Sequence, residues 1–205
     1  INRWFSITSY PRESSSNLST RSLDTEDYSP CLAKMNAREL VDHIRSGPAK
    51  LMLDKALPRF RRRTRSNPCD FNEFLQALQS NETVRTVECG DHTTLGITED
   101  EWVFLVNTLG SIKDIQNLTL CCMPGSRDFQ PFQALADAVN NAQSLCKLVV
   151  DQEGETFPRD PSGLAAFANA LREHTALEEF RWVDWPPIEP RDDATLDPVI
   201  RALPA

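Results

Sequence analysis

The feature that most constrains the fold is a repeat of about 31 residues in the last two thirds of the chain. Four short segments read apolar-x-x-apolar-x-apolar, with starts 31, 30 and 32 residues apart at Val84, Ile115, Leu145 and Leu177. A segment of this kind is typical of a short strand that buries alternate side chains. A fixed period of this length predicts a repeat architecture.

A second periodicity precedes each of these segments. Apolar residues stand six, nine, ten and thirteen positions upstream, which is the stripe of an amphipathic helix. In the first unit these residues are Leu78, Leu75, Phe74 and Phe71. The same spacing fits the helix of a fifth unit at Leu196, Val199, Ile200 and Leu203. One unit is therefore a helix of about three turns, a short turn and a strand.

A single helix-strand unit cannot bury its own apolar face, so neighbouring units must stack to form a continuous core. We therefore predict an α/β fold, a right-handed solenoid with parallel strands on the concave face and helices outside. An ordinary α/β domain with alternating helices and strands is the alternative. That alternative predicts more variable spacing between helix and strand than the sequence shows.

The repeat also predicts a division of the chain into three parts. Residues 71–205 form the repeat domain, with four units and the helix of a fifth. Residues 1–35 are rich in serine and lack periodic apolar residues, so we expect an extended or disordered arm. Residues 36–70 are expected to form a helical cap and a basic linker over one end of the solenoid.

The predicted cap contains two helical candidates and a run of arginines. Asn36 to Arg45 has an amphipathic pattern, and Lys50 to Leu57 is a second candidate that Pro58 would end. The run contains Arg59, Arg61, Arg62, Arg63 and Arg65. It could contact an acidic protein or a membrane surface, and a solvated linker is the alternative.

The strand pattern resembles leucine-rich repeats over residues 71–205, and the period with its full helix resembles the ribonuclease-inhibitor-like subclass. The segment from Phe71 to Val87 is similar to repeats of the tropomodulin family. It has a Phe-x-x-Phe-Leu-x-x-Leu helix, Asn81 and a Val-x-x-Val strand. This resemblance implies a protein-binding solenoid with a cytoskeletal (actin-type) or GTPase partner. The usual turn Asn or Cys is replaced here by His92, Met123, Glu153 and Trp185.

The first third of the chain and the repeat region differ in charge, and this difference limits the kinds of partner that the protein can bind. The net charge of −8 combines a basic first third with an acidic repeat region. An acidic repeat domain argues against nucleic acid, because phosphates would be repelled. No apolar stretch is long enough to span a membrane. The six cysteines are scattered, as is typical of proteins whose thiols stay reduced, so we expect an intracellular, cytoplasmic protein, with organelle targeting as the alternative.

The residues that usually carry chemistry are scattered along the sequence. His43, His92 and His174 lie in different regions, and Cys89 with His92 lacks the second pair of a zinc site. No phosphate-binding glycine loop or nucleophile motif is present. We therefore predict no enzyme activity, no metal and no cofactor. The predicted function is a protein-protein interaction scaffold or structural subunit, with a regulator of a cytoskeletal or GTPase partner as the alternative.

Alternation along the strands identifies the side chains that would meet a partner. Residues between the buried positions point to the opposite face of the sheet. The charged members of this set are Glu88, Lys147, Glu179 and Arg181. Trp185 is expected in the loop after the last strand, where it could anchor an interface; packing over Pro186 and Pro187 is the alternative. Together with the arginine run, these residues are the predicted partner-binding set.

Overall fold

A computed structural model of the protein describes residues 4–9, 37–53, 71–89, 98–121, 130–153 and 160–185. Five helices lie in these ranges: α1 (Ala37–Arg45), α2 (Phe71–Gln79), α3 (Glu99–Gly110), α4 (Pro131–Asn141) and α5 (Pro161–Glu173). They also contain six strands: β1 (Trp4–Ser9), β2 (Lys50–Met52), β3 (Thr86–Cys89), β4 (Asn117–Cys121), β5 (Lys147–Glu153) and β6 (Glu179–Trp185).

The strands form one parallel sheet in the order β1-β6-β5-β4-β3-β2. From β2 to β6 the strands follow chain order, and a helix precedes each of them. Equivalent residues of successive units are paired directly, as the row Thr86, Asn117, Lys147 and Glu179 shows. The fixed spacing of the sequence repeat therefore becomes a fixed register between strands.

The core lies between the sheet and the helices, and it confirms the predicted repeat. The first apolar residues of the four units, Val84, Ile115, Leu145 and Leu177, are all buried. The helix stripe is buried in every unit, except that Phe71 and Leu75 of the first unit are half-buried. Fully burying one such side chain stabilises the fold by about 1.5–3 kcal/mol.

Aromatic contacts lie between the third and fourth units and within the fourth. The rings of Phe132 and Trp182 stack with their centroids 6.0 Å apart, and Phe167 meets Phe180 edge-on at 5.9 Å. Each such pair adds about 0.5–1.5 kcal/mol beyond the apolar area that it buries. Trp182 is fully buried and is one of the largest side chains of the core.

Local sequence explains where the helices begin. Thr98 caps α3, because its hydroxyl accepts from the backbone N–H of Glu101 while the Glu101 carboxylate accepts from the N–H of Thr98. The helices α4 and α5 begin with Pro131 and Pro161, at a position where the missing N–H costs nothing. Asp160 caps α5 by accepting from the N–H of Gly163 at 2.8 Å.

Two buried polar residues close the turns between helix and strand. The Asn81 amide donates to the carbonyl of Ile44 in the preceding unit and accepts from the N–H groups of Thr83 and Val84. In the last unit, His174 Nε2 lies 2.9 Å from the Ala142 carbonyl and Nδ1 accepts from the Leu177 N–H. These residues link a unit to the one before it.

The sheet contains one more helix-strand unit than the four predicted. The helix α1 lies within the predicted span of Asn36 to Arg45. The second helical candidate, Lys50 to Leu57, is wrong for its first residues, because Lys50–Met52 form β2, paired with β3. Gly47, at φ 86°, makes the turn between α1 and β2, in a conformation that a residue with a Cβ rarely adopts.

The first described segment of the chain is also part of the sheet. Within the predicted arm, Trp4–Ser9 form β1, which pairs in parallel with β6. They are therefore not separate from the repeats. This pairing joins Trp4 to Glu179, residues far apart in the sequence, so the local periodicity that predicts β3 to β6 could not indicate it.

Several predictions fall on residues outside the described ranges. These are the helix of the fifth unit at Leu196 to Leu203 and the turn positions His92 and Met123. The other two predicted turn residues, Glu153 and Trp185, are instead paired strand residues, because β5 and β6 continue to them. The right-handed sense and the concave curvature stay predictions. Within the described part of the chain, no helix is long and apolar enough to cross a membrane.

Candidate protein-binding face

The exposed side of the sheet is the most extensive candidate site in the described residues. Alternate residues of β2 to β6 point away from the helices, and they are half-buried or exposed. We name the first two rows of these residues the strand face. The strand face consists of Lys50, Met52, Thr86, Glu88, Asn117, Thr119, Lys147, Val149, Glu179 and Arg181.

Ion pairs, two of them between neighbouring strands and one within β6, lie at the two sides of the strand face. On one side, Lys50 Nζ lies 2.9 Å from Glu88 Oε1. On the other side, Glu179 contacts two cations: Lys147 Nζ lies 3.0 Å from its Oε2, and Arg181 Nε contacts its Oε1. Exposed pairs of this kind contribute only about 0–1 kcal/mol to stability. Their main effect is to fix where the charged groups lie.

The centre of the strand face is uncharged and formed by small side chains. Asn117 Nδ2 donates to Thr86 Oγ1 at 3.1 Å, which joins β4 to β3. Thr119 and Val149 follow in the second row, in direct register with each other. The centre is therefore uncharged, with charged groups on both sides.

The structure brings together four of the residues that sequence alternation identified. Glu88, Lys147, Glu179 and Arg181 all lie on the strand face. Trp185 is the last residue of β6, paired with Glu153, so its predicted place in the following loop is wrong. The five arginines from Arg59 to Arg65 lie outside the described residues.

Sequence reasoning missed two residues of the strand face, Lys50 and Met52. Both lie on β2, which has only three residues and was assigned to a helix. The alternation of buried Leu51 and Leu53 with Lys50 and Met52 is the only local indication of a strand. Pro48 stands where the other units have their first apolar residue, so the pattern is incomplete there.

The described residues offer little besides the strand face. A polar hollow of about 260 Å³ lies between the end of α1 and the turn after α2, where it is lined by Arg45, Gly47, Asn81 and their neighbours. It is open and shallow, unlike the enclosed apolar sites that bind small ligands. Within the described ranges, no group of three side chains is arranged to hold a metal ion.

Comparisons with known proteins bear on the fold. No protein-family model matches the sequence, and no curated protein matches it. The C-terminal domain of tropomodulin from Caenorhabditis elegans is similar in structure, with a TM-score of 0.50. The similarity covers 82% of this chain and 92% of that one, at 12% sequence identity. The actin-binding site 2 of leiomodin-1 is also similar, with a TM-score of 0.48 and 13% identity; the similarity covers 80% of this chain and 87% of that one.

The stacked units, the parallel sheet and its similarity to the tropomodulin domain define an α/β fold like that of leucine-rich repeats. The helices cover one side of the sheet, and none of the described helices covers the strand face. The ribonuclease-inhibitor-like subclass stays a prediction.

Proposed function

We propose that this chain is a non-catalytic protein-binding module that contacts a cytoskeletal partner of the actin type through the strand face. The observation that carries the proposal is the alignment of ten accessible side chains in two rows across five adjacent strands. Neighbouring side chains on this surface are evenly spaced, both along each strand and from one strand to the next. A partner with an ordered surface can therefore contact many of them at once.

The chemistry of the strand face suits a protein partner. It combines charged groups at two sides with Thr, Asn and Val between them. Protein interfaces that form reversibly have about this mixture of polar and apolar area, with a polar rim open to solvent. A small ligand would need a concave site that encloses most of its surface, whereas the strand face consists of half-buried and exposed side chains of one sheet.

The proposal that the module is non-catalytic rests on how the charged groups of the strand face are used. Glu88 and Glu179 each contact a cation of a neighbouring strand. A general acid or base must be within reach of a substrate proton and have a suitable pKa. Carboxylates that are occupied by ion pairs on an open surface are poorly placed for that role.

Actin is the partner to test first. The repeat from Phe71 to Val87 resembles those of the tropomodulin family, for which a cytoskeletal partner is expected. The shared fold supports only the architecture. Substitutions on the strand face can therefore test whether the chain binds such a partner there.

A bulky substitution at the centre of the strand face tests this proposal. Thr119→Trp places a large ring on β4, and Gln133→Trp places the same ring on the exposed side of α4 as a matched control. We expect the unmodified chain to sediment with filamentous actin and to change its rate of polymerisation. Thr119→Trp is expected to lose at least tenfold in affinity, while Gln133→Trp keeps it.

Three results would contradict the proposal at different points. If both tryptophan variants lose affinity for actin equally, the strand face is excluded as the binding site. Absence of binding by the unmodified chain would exclude actin. Binding that leaves polymerisation unchanged would exclude regulation and favour a scaffold role.

A further inference from the structure

Incomplete burial of large apolar side chains is confined to two of the described helices. Every leucine, isoleucine, valine and phenylalanine of α1, α4 and α5 is buried. In α2 and α3, by contrast, Phe71, Leu75 and Val103 are half-buried. Phe104 is 62% exposed, and it is the only large apolar side chain that is exposed in the described ranges. Single exposed apolar residues are common, whereas a contiguous group of them marks an interaction surface.

The contacts of α2 show which way its half-buried residues face. Glu73 lies 2.8 Å from Arg38 and 3.3 Å from Arg45, both of which belong to the preceding helix α1. Phe71 and Leu75 are each two positions away from Glu73, so they lie on the opposite flank of α2. The helix that packs beside this flank is α3.

The repeat places Phe104 at the same boundary. Phe104 is equivalent to Glu73 of the unit before it, and Glu73 faces the preceding helix. Phe104 of α3 therefore faces α2. The later units have Ala134 and Ala166 at this position. We name the apolar surface between α2 and α3 the helix groove, which consists of Phe71, Leu75 and Phe104.

The sizes of the residues between the helices explain why the groove is open. Between α3 and α4, Gly110 lies directly against Ala138, so these helices pack closely. The equivalent residues between α2 and α3 are Gln79 and Thr108, which are larger. Accordingly, α2 and α3 pack less closely than α3 and α4. The space between them leaves Phe104 in contact with solvent.

The charge around the helix groove is of one sign. The helices α2, α3 and α4 contain five acidic residues and no lysine, arginine or histidine. Asp100 is exposed and precedes Phe104 by four positions, so the two side chains are neighbours on α3. Asp100 forms no ion pair with another described residue. The nearby Arg38 and Arg45 are held by Glu73 on the far flank of α2.

We propose that the helix groove binds a basic amphipathic helix of a partner protein, with an apolar side chain against Phe104 and a lysine or arginine beside Asp100. An amphipathic helix that lays its apolar side into a groove is a common mode of recognition. A second copy of this chain is a poorer match, because two copies meeting groove to groove would bring their acidic helices together. The helix groove lies on the other side of the sheet from the strand face, so this inference is independent of the proposed function.

Binding of a designed peptide to the whole chain tests the inference. The probe is a fluorescein-labelled alanine-based helix of about 16 residues, with leucines along one side and lysines flanking them. A peptide of the same composition, scrambled so that the leucines share no side, is the control probe. Fluorescence anisotropy compares Phe104→Ala with Gln133→Ala, which is exposed on α4, and Asp100→Asn with Glu173→Gln, which is exposed on α5.

We expect Phe104→Ala to bind the striped peptide about tenfold more weakly, because it removes most of an apolar contact. Asp100→Asn should lose about threefold at low salt and little at high salt, since an exposed charge contributes modestly and is screened. Gln133→Ala, Glu173→Gln and Thr119→Trp should bind as the unmodified chain does. Phe104 is exposed, so Phe104→Ala should unfold at the same temperature as the original.

Equal affinity of Phe104→Ala and Gln133→Ala would overturn the inference, as would equal binding of the striped and scrambled peptides. Dimers of the chain that Phe104→Ala dissociates would show that a second copy covers the groove instead. A tenfold gain in affinity when the arginine run is changed to serine would identify that run as the occupant, and a separate partner would then be wrong. None of these results bears on the strand face, which Thr119→Trp tests separately.

Discussion

At the scale of single residues, the turns between helix and strand contain stabilising contacts that the repeat pattern of the sequence does not predict. The equivalent turn position is Asn81, Ile112, Ala142 and His174 in successive units. Only the first and last are polar, and each bonds to the carbonyl of the preceding unit. Because the position has no consistent residue type, no periodicity identifies it. Its role becomes clear only when neighbouring units are placed side by side.

His174→Ala is expected to destabilise the protein by about 2–4 kcal/mol. The change removes bonds to the Ala142 carbonyl and the Leu177 N–H, both at a buried site, and unpaired buried polar groups cost about 1–3 kcal/mol each. Urea denaturation measures the loss. Asn140→Ala, at an exposed position of α4, serves as the control and should change stability by less than about 0.5 kcal/mol. Equal stability of the two variants would show that the His174 bonds contribute nothing.

At the scale of helices and strands, the sequence predicts more of the fold than of the site. The helix stripe and the strand pattern each follow from burial on one side, which is a local property, and both are confirmed in all four units. The strand β2 escaped prediction because it is short and Pro48 interrupts its pattern. The strand face followed from alternation, whereas its ion pairs could not be predicted, since they depend on the register between strands.

Close packing of two helices gives a prediction at this scale. A Cβ added to Gly110, at the end of α3, would lie 2.5 Å from the Cα and 2.7 Å from the carbonyl oxygen of Ala138 in α4. Gly110→Ala is therefore expected to cost about 1–3 kcal/mol despite the higher helix propensity of alanine. Thermal denaturation measures the change.

The identity of the nearest atoms makes this prediction specific. Two of the three atoms closest to the added Cβ belong to the Ala138 backbone, so adding Ala138→Gly to the variant should not restore stability. Recovery in the double variant would mean that only the Ala138 side chain is in the way. A Gly110→Ala protein as stable as the original would show that the helices can separate at no cost.

At the scale of the whole molecule, β1 protects an edge of the sheet. The strand β6 would otherwise present unpaired N–H and C=O groups along its length, and such edges invite pairing with another chain. Backbone pairing along β1 runs from Trp4 with Glu179 to Ser9 with Asp184. The pairing of β1 with β6 is the one place where the described strands depart from chain order, and it makes β1 the terminal strand in place of β6.

Removal of residues 1–9 is therefore expected to lower stability and to promote self-association through β6. Light scattering after size-exclusion chromatography, over a range of concentrations, measures the association. Ile7→Pro is a second variant that keeps the chain length and removes one backbone donor from β1. A shortened chain that stays monomeric and equally stable would show that β1 does not protect the edge.

The pairing of β1 with β6 has a consequence for the order in which the chain is assembled during translation. Successive units can dock as soon as each has left the ribosome, because they contact their neighbours in sequence. Of the described strands, β1 is synthesised first, yet its partner β6 is synthesised last. The oldest strand of the nascent polypeptide therefore completes the sheet last, after a long closure that adds to the time needed for folding.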